Sequence, residues 1–245
     1  MPKVAKQTLR TATPSAAGRR PAQKRSLARV NALLDAADAL LREREIGDVG
    51  LYDIARLADV PPTSVYHFFP TKEAALLGLA ERYLEHMHQI LQQPLDLTQV
   101  DHWIDLVTIR YYRVVNYFNE NLPARKLFIG LAIGSDVKML DFADMDNLVT
   151  WTYRSMNTIF DMPYVKDPTL KFSVLFGIYD GVWATSYAKR GYITPEYARE
   201  GLRAGIAYLS TFLPTTIALR EPGAEPVPIP AAKAVTPQVR GLRPE

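Results

Sequence analysis

The sequence contains no cysteine among its 245 residues, which excludes disulfide bonds and thiolate metal sites. It also lacks any apolar run near the roughly 18 residues that a membrane-spanning helix needs, and its N-terminus has no apolar block of the signal-peptide kind. The lack of cysteine is typical of a reducing compartment, and the lack of a spanning segment or signal peptide is typical of a protein that is not exported. We therefore expect a cytoplasmic protein. Apolar residues make up 48% of the chain, enough for one large core or for a small domain plus a medium one.

Catalytic signatures are absent as well. The sequence has no G-x-S-x-G elbow, no P-loop and no G-x-G-x-x-G motif. His86 and His88 stand two positions apart on a predicted helix, so their rings point in different directions and do not chelate one metal. A group of carboxylates falls in a predicted connecting segment: Asp136, Asp141, Asp144 and Asp146. We expect that segment to be a solvated loop, and we predict no enzyme, no metal site and no cofactor.

Acidic residues are missing from the first 30 positions, which carry eight Lys and Arg residues. We interpret residues 1–25 as a basic, disordered arm, whose charges can neutralise backbone phosphates and release counterions. A plain solvated tail and an organelle transit peptide, which is also rich in arginine and poor in acids, are the alternatives.

Strand-like alternation is nearly absent, and apolar residues recur at helical spacing instead. In the N-terminal region the pattern predicts helices over 26–44, 51–58 and 62–69, followed by a longer helix that Thr71 caps. Pro62 suits the first turn of the third helix, and Pro70 ends it because its ring disfavours helical backbone at the residue before it.

The second and third predicted helices are joined by a tight turn at Asp59 and Val60, which is typical of a helix-turn-helix unit. In such a unit the second helix of the pair enters the major groove of DNA. Val65 and Phe69 are four residues apart and are expected to point inward. The outward arc carries hydroxyl and imidazole groups that can bond phosphate oxygens or base edges: Thr63, Ser64, Tyr66 and His67.

The stretch DIARLADVPPTSVYHFFPTKEAAL, residues 53–76, resembles the TetR family of transcriptional repressors when it is taken with the helix before it. The shared features are the Ile-Ala pair, the turn ending in Val, the Tyr-x-x-Phe of the third helix and the Lys-Glu that opens the fourth. The resemblance implies that Tyr66 and Lys72 contact phosphates and that Thr63, Ser64 and His67 face bases. Tyr52 on the second helix completes the expected DNA contacts.

The motif departs from the family's usual pattern at three positions. Asp59 stands where the turn normally has glycine, and aspartate reaches left-handed backbone only at some cost. Gly50 and Pro61 replace the residues that would cap the second and third helices with a hydroxyl. These departures concern DNA affinity more than the fold.

Beyond residue 93 the helical period continues over 100–119, 123–131, 142–160, 169–189 and 195–213. The sequence therefore predicts an all-α chain. We expect a helix-turn-helix DNA-binding domain at 26–72 and a helical effector-binding and dimerisation domain at 73–213, linked by the helix that starts at 72. Seven prolines from Pro214 onward predict a disordered tail over 214–245.

Small residues form one face of each of the last two predicted helices, although glycine inside a helix costs about 1 kcal/mol relative to alanine. Such faces let another helix approach closely, and in the similar family the last two helices pair with those of a twofold mate. The expected dimer contacts are Gly177, Asp180, Gly181, Ala184, Gly201, Ala204, Gly205 and Tyr208. Close packing within one chain is the alternative for this face, and contact with ligand is the alternative for Asp180.

Aromatic residues are frequent in the second predicted domain, where such stripes are more often core than binding site. Because members of the similar family bind an effector among these helices, we expect a small apolar or aromatic effector. The expected contacts are Trp103, Arg110, Tyr111, Phe128, Trp151 and Phe176. Arg110 or Arg113 could meet an anionic effector, or both could be surface charges.

Together these patterns predict a homodimeric, ligand-responsive transcriptional repressor that binds a palindromic operator in double-stranded DNA and is released by its effector. The first alternative is an architectural or nonspecific DNA-binding protein driven by the basic arm. The second is a small-molecule-binding protein that has lost operator recognition.

Overall fold

The computed structural model of the chain describes residues 16–130 and 134–221, and helices dominate this part. The helices in chain order are α1 (Ala16–Glu43), α2 (Leu51–Leu57), α3 (Pro62–Phe68), α4 (Lys72–Leu91), α5 (Trp103–Glu120), α6 (Leu122–Phe128), α7 (Ser135–Ile159), α8 (Pro168–Arg190) and α9 (Pro195–Leu209). Within the described residues β-pairing is limited to one isolated bridge, between Phe160 and Leu219. The predicted all-α class is confirmed.

The chain divides into two compact units between Leu79 and Ala80, and α4 runs through the division. The division lies further along α4 than the predicted domain limit at residue 72. Over the described stretches of the chain, each helix is too short or too polar to cross a membrane.

The core of the first unit joins apolar side chains from its helices, as the helical period predicts. Val65 and Phe69 of the α3 region are buried, which confirms that they point inward. The other buried members of this core include Leu33, Ala37, Leu41, Ile54, Ala55, Leu76 and Leu79. Burying a valine, leucine, isoleucine or phenylalanine side chain contributes about 1.5–3 kcal/mol, so this small domain depends on each of its larger core residues.

The turn between α2 and α3 is closed at Asp59 and Val60. Asp59 has φ 52°, the left-handed conformation that the sequence demanded of it. The Val60 N–H donates to the Ala55 carbonyl over 2.9 Å and fixes the turn. At the start of α2 the Asp53 carboxylate accepts from the Gly50 N–H at 3.3 Å, which satisfies that backbone donor, although Gly50 has no side chain to cap the first turn.

The second unit is organised around α5, whose side chains tie several segments together. Tyr117 donates its hydroxyl hydrogen to the Tyr83 carbonyl of α4 at 2.8 Å. Arg113 donates to the carbonyls of Gln93 and Pro94 at 2.8 and 2.9 Å. These bonds satisfy two backbone acceptors just beyond the C-terminus of α4. These bonds hold the second half of α4 in a fixed position along α5.

The predicted basic arm is partly helical. Helix α1 starts at Ala16, well before the predicted start at residue 26, so residues 16–25 are not the disordered segment expected. Alanine, arginine, lysine and glutamine are good helix formers, and a helix already present at residue 26 propagates easily into such residues. Residues 1–15 of the predicted arm lie outside the described residues.

The predicted acidic loop is helical as well. Helix α7 begins at Ser135, not at residue 142. Asp136 and Asp141 therefore lie in the same helix as Asp144 and Asp146. Asp136 lies in the first turn, where a negative charge interacts favourably with the helix dipole. Asp141, Asp144 and Leu148 follow at a spacing of three and four residues, which places them on one face of α7.

The predicted tail is ordered at its start. Ile217 is buried, and Arg220 donates to the Asn157 carbonyl at 2.9 Å at the end of α7. Arg220 also pairs with Asp161 over 3.1 Å. The segment 214–221 is therefore attached to the end of α7 by the backbone N–H and the guanidinium of Arg220. Residues 222–245 of the predicted tail lie outside the described residues.

Two glycines predicted for the dimer contact are instead packed inside the chain. A Cβ on Gly205 would overlap the Tyr179 ring, and a Cβ on Gly201 would overlap the Tyr111 hydroxyl. Gly201 and Gly205 are both buried between α9 and its neighbours α5 and α8. At these two positions the structure shows the alternative, close packing within one chain. The absence of a side chain lets the two tyrosines lie against α9.

We predict that Gly205→Ala lowers the free energy of unfolding by about 1–3 kcal/mol, since the added methyl group would force the buried Tyr179 ring aside. Denaturant unfolding of the variant measures this loss. The matched comparison is the same substitution in a Tyr179→Leu background, where the ring is gone and alanine should no longer be unfavourable. An equal loss in both backgrounds would contradict the assigned contact.

Candidate functional site

The outward face of α3 is the first candidate site. Thr63, Tyr66 and His67 are exposed there and Ser64 is half-buried, while Val65 on the opposite side anchors the helix. The arrangement presents two hydroxyls, a phenol and an imidazole over little more than one helical turn. Such groups can bond both phosphate oxygens and base edges.

Two tyrosines extend this face from α3 to α2. Tyr52 and Tyr66 are 63% and 49% exposed, and their rings meet edge to face with centroids 6.3 Å apart. A side-chain hydrogen bond with Tyr52 raises the pKa of Tyr66. Large exposed aromatic side chains held in this way are pre-organised for contact with a partner.

Lys72, the remaining expected DNA contact, opens α4 beside this face. Its Nζ donates to the carbonyls of Ile46 and Gly47, at 3.3 and 3.5 Å. An ammonium group has three N–H donors, so one is left for a phosphate oxygen. Lys72 thus holds the turn before α2 as well as offering a positive charge.

The second candidate site is a cavity of about 130 Å³ inside the second unit, between α4, α5, α6, α7 and α8. Five residues expected from the sequence line it: Arg110, Tyr111, Phe128, Trp151 and Phe176. The remaining walls are mainly aliphatic and aromatic, with Leu84 and Met87 contributed by α4. An apolar cavity with few polar groups is the usual form of a small-molecule site.

Trp103, another expected ligand contact, does not line the cavity. The side chain is 0% exposed, and its Nε1 donates to the Pro214 carbonyl at 3.0 Å. Trp103 therefore belongs to the core, where the indole N–H needs a partner and the start of the C-terminal segment provides it.

A cluster of rings closes one side of the cavity. Trp183 donates from Nε1 to the Tyr111 hydroxyl at 2.9 Å, and the Tyr111 and Tyr179 ring centroids are 4.7 Å apart. Burial raises the pKa of Tyr111 to about 12, although the hydrogen bond from Trp183 opposes that shift. The phenol therefore stays neutral at physiological pH and fixes the indole in place.

Charged groups meet at another part of the wall. Lys138 lies between Asp141 and Asp180, with Nζ–Oδ2 distances of 3.2 and 3.0 Å. Burial raises the pKa of Asp141. Burial acts to lower the pKa of Lys138, but the hydrogen bond and charge of Asp180 outweigh it and raise that pKa.

Asp180, an expected dimer contact with ligand contact as the alternative, borders the cavity. Its carboxylate is paired with Lys138 of the same chain and borders the cavity. Asp144 also borders the cavity and lies 2.8 Å from Nε2 of His88. The sequence reasoning missed this set of charges because it placed the α7 aspartates in a loop; their helical spacing was the available signal.

Arg110 is the unusual polar group of the cavity. Its Nε and Nη1 atoms are buried and have no hydrogen-bond partner in the described part of the protein. The guanidinium carbon lies 4.7 Å from the centroid of the Trp151 ring. Burial, with a smaller contribution from the charge of Arg113, lowers the pKa of Arg110 to about 10, so the group is still charged near neutral pH.

A third surface lies on the outer side of α8 and α9. Gly177 and Gly181 are exposed there, and a Cβ on either would meet open space. Ala204 is exposed, and Ala184 and Tyr208 are half-buried. A shallow groove beside them is bordered by Thr185 and by residues of α9.

Within the described ranges 16–130 and 134–221, His, Asp and Glu side chains do not gather in threes in a way that could hold a metal ion.

The N-terminal part of the chain matches a known protein family. The family model of bacterial regulatory proteins of the tetR family matches residues 33–78, which include α2, α3 and the outward face of Tyr66 and His67. The N-terminal domain of the chain is thus similar to the TetR family. The family resemblance of the sequence motif is thereby confirmed.

Curated relatives agree with this TetR-family assignment. The chain is 33% identical over 90 residues to the HTH-type transcriptional regulator EthR of Mycobacterium tuberculosis, a match covering 35% of this chain and 42% of EthR. It is 30% identical over 89 residues to the HTH-type transcriptional repressor NemR of Escherichia coli, covering 36% and 44% respectively. The matches thus span less than half the length of these relatives.

Similarity of fold extends much further than similarity of sequence. A TetR-family transcriptional regulator from Streptomyces coelicolor aligns with a TM-score of 0.57 over 76% of this chain and 99% of its own, at 21% identity. The fold shared with this regulator therefore extends beyond the N-terminal match into the second unit.

We predict that Tyr111→Phe lowers the free energy of unfolding by about 1–3 kcal/mol, because it leaves the buried Trp183 N–H without an acceptor. Denaturant unfolding followed by tryptophan fluorescence measures the loss. Tyr112→Phe, at the neighbouring half-buried position, is the matched control and should change stability by less than about 0.5 kcal/mol. Equal effects would mean that the Trp183 bond contributes little.

Proposed function

We propose that this chain is a ligand-responsive transcriptional repressor, which binds a palindromic operator as a dimer and is released when a small effector occupies the cavity. The observation that carries the proposal is the exposed polar face of α3 on a helix anchored by Val65 and Phe69. The name of NemR, a transcriptional repressor, supports the direction of regulation. Thr63, Ser64 and His67 then read bases, while Tyr52, Tyr66 and Lys72 contact the phosphate backbone.

Operator footprinting with a salt titration tests this function. Protection of one palindromic site, against a background of weaker binding elsewhere, is the expected result. Uniform protection of the duplex would favour the nonspecific DNA-binding alternative, in which the basic N-terminal segment dominates. A protein that bound no DNA at all would be the small-molecule-binding protein without operator recognition.

The roles within the DNA face make a separate prediction. His67→Ala should weaken discrimination at particular base pairs by about 1–3 kcal/mol, since it removes a base-facing group. Lys72→Ala should weaken binding to all sequences and reduce the salt slope by about one unit. Fluorescence anisotropy on operator and scrambled duplexes separates the two effects.

Because Lys72 also bonds to Ile46 and Gly47, its variant needs a check on folding. Thermal unfolding should show that the domain stays folded at the temperature of the binding assay. If His67→Ala lost affinity equally on every duplex, its assignment to base reading would be wrong.

The dimer contact is proposed for the outer face of α8 and α9. Gly177 and Gly181 are one turn apart and exposed, so a partner helix can approach the α8 backbone there. A twofold dimer must place its recognition helices about 34–36 Å apart to occupy successive major grooves. The exposed and half-buried positions Ala184, Ala204 and Tyr208 belong to the same proposed contact.

A large charged side chain in this face should separate the protomers. We predict that Gly181→Arg is monomeric at micromolar concentration and loses operator affinity, because each half-site is then bound alone. Sedimentation velocity measures the oligomeric state. Asn116→Arg, which adds the same charge at an exposed position of α5, is the control and should remain dimeric; a dimeric Gly181→Arg would place the contact elsewhere.

Helix α4 is the proposed link between effector and DNA. Lys72 stands at its first residue, and Leu84, Met87 and Leu91 contribute to the cavity wall. An effector that displaced the stretch from Tyr83 to Ile90 would change the position of Lys72 and of the recognition helix. Linkage then requires that operator DNA weakens effector binding by the same factor by which effector weakens operator binding.

A further inference from the structure

Arg110 has an uncompensated charge inside the cavity. Its Nε and Nη1 carry three of the five N–H donors of a guanidinium, and neither atom has an acceptor among the described residues. Buried N–H donors of a charged group are unfavourable without acceptors and are normally paired in folded proteins. The site therefore has a positive group whose partner is not a residue of the described chain.

The carboxylates that share the cavity are already engaged with other cations. Asp141 and Asp180 lie at 3.2 and 3.0 Å from Lys138. Asp144 lies 2.8 Å from His88. The charge of Arg113 repels that of Arg110 and contributes to its lowered pKa, and an anion would relieve this repulsion. An anion from outside the chain is thus the group that matches Arg110.

Trp151 holds the guanidinium in place for such an anion. The guanidinium carbon is 4.7 Å from the ring centroid, a distance at which the face of the cation stacks on the ring. Stacking covers a face of the planar guanidinium and leaves its N–H edges, which are the parts that bind a carboxylate in bidentate fashion.

The size and walls of the cavity limit the rest of the molecule. Its volume is about 130 Å³, close to that of engineered apolar cavities of about 150 Å³ that accept benzene. Leu84, Met87, Val114 and Phe176 are among its walls, so the body of the ligand should be apolar. One aromatic ring or a short alkyl chain fits these limits.

The charges of the cavity favour a monoanion over a dianion. Arg110 offers one positive charge, whereas a phosphate monoester carries about −1.5 to −2 near neutral pH. The three aspartates on the same cavity would repel the second negative charge. Tyr179 is not counted as an anchor, because its ring packs against Gly205 of α9.

We propose that the effector is a small organic monoanion, an aromatic or short-chain carboxylate, whose carboxylate pairs with Arg110 while its apolar body fills the cavity. This inference rests on the proposed function in taking the cavity as the effector site. It adds the chemical class of the effector and the residue that selects it.

Binding of benzoate and of its neutral isostere benzamide, measured by isothermal titration calorimetry at constant ionic strength, tests the inference. The full chain should bind benzoate at least about tenfold more tightly than benzamide, because a charge-assisted pair stabilises only the anion. Arg110→Gln should lose this preference, and Arg110→Lys should keep part of it. Arg154→Gln, at an exposed position of α7, is the matched control and should behave as the parent protein.

Circular dichroism confirms that each variant is folded before titration. Equal affinity for benzoate and benzamide, or a preference that survives in Arg110→Gln, would overturn the proposal. Phenylacetate and butyrate extend the probes, and absence of binding by all three acids at millimolar concentration would overturn it as well.

An operator-binding assay with the same probes separates this inference from the proposed function. If benzamide releases the operator as well as benzoate does, the repressor function stands and the carboxylate assignment fails. If benzoate binds at Arg110 but the chain protects no operator, the ligand chemistry stands and the repressor function fails.

Discussion

The contact between Tyr179 and Gly205 sets the distance between α8 and α9, and much of the second unit depends on that distance. Because Gly205 has no side chain, the Tyr179 ring lies directly against the α9 backbone. From there the ring also meets Tyr111 of α5, with centroids 4.7 Å apart. A larger residue at 205 would move Tyr179 toward the cavity and reduce its volume, so the glycine preserves the binding space as well as the helix packing.

The same rings explain why the cavity remains open on its other side. Trp183 is held by its bond to the Tyr111 hydroxyl and stacks on Tyr179 with an interplanar angle of 20°. Side chains fixed by one another in this way cannot collapse easily into an adjacent space, since collapse would break a buried hydrogen bond. Rigidity of the wall therefore maintains a void that flexible aliphatic residues would fill.

Local regularity is what made the N-terminal domain predictable from the sequence. The i, i+4 pair Val65 and Phe69 and the two flanking prolines each favour one local arrangement, and the structure adopts it. Asp59 takes the left-handed conformation of the turn in spite of its cost. Five of the six expected ligand contacts line the cavity for a similar reason, because aromatic positions on helices tend to face inward. Trp103, the sixth, is buried but does not border the cavity, because burial alone does not say which residues border a void.

Long-range pairing was the part that sequence could not supply. Whether Asp180 faces a partner molecule or Lys138 depends on how α7 and α8 pack, and nothing in either helix alone decides it. The α7 aspartates illustrate the point further, since Asp141 and Asp144 join Asp180 of α8 at the cavity once their segment is helical. Their pairing with Lys138 and His88 in turn leaves Arg110 as the charge to be satisfied from outside. The chemistry of the cavity thus arises from which partners the fold assigns to each charge, more than from which charges the sequence contains.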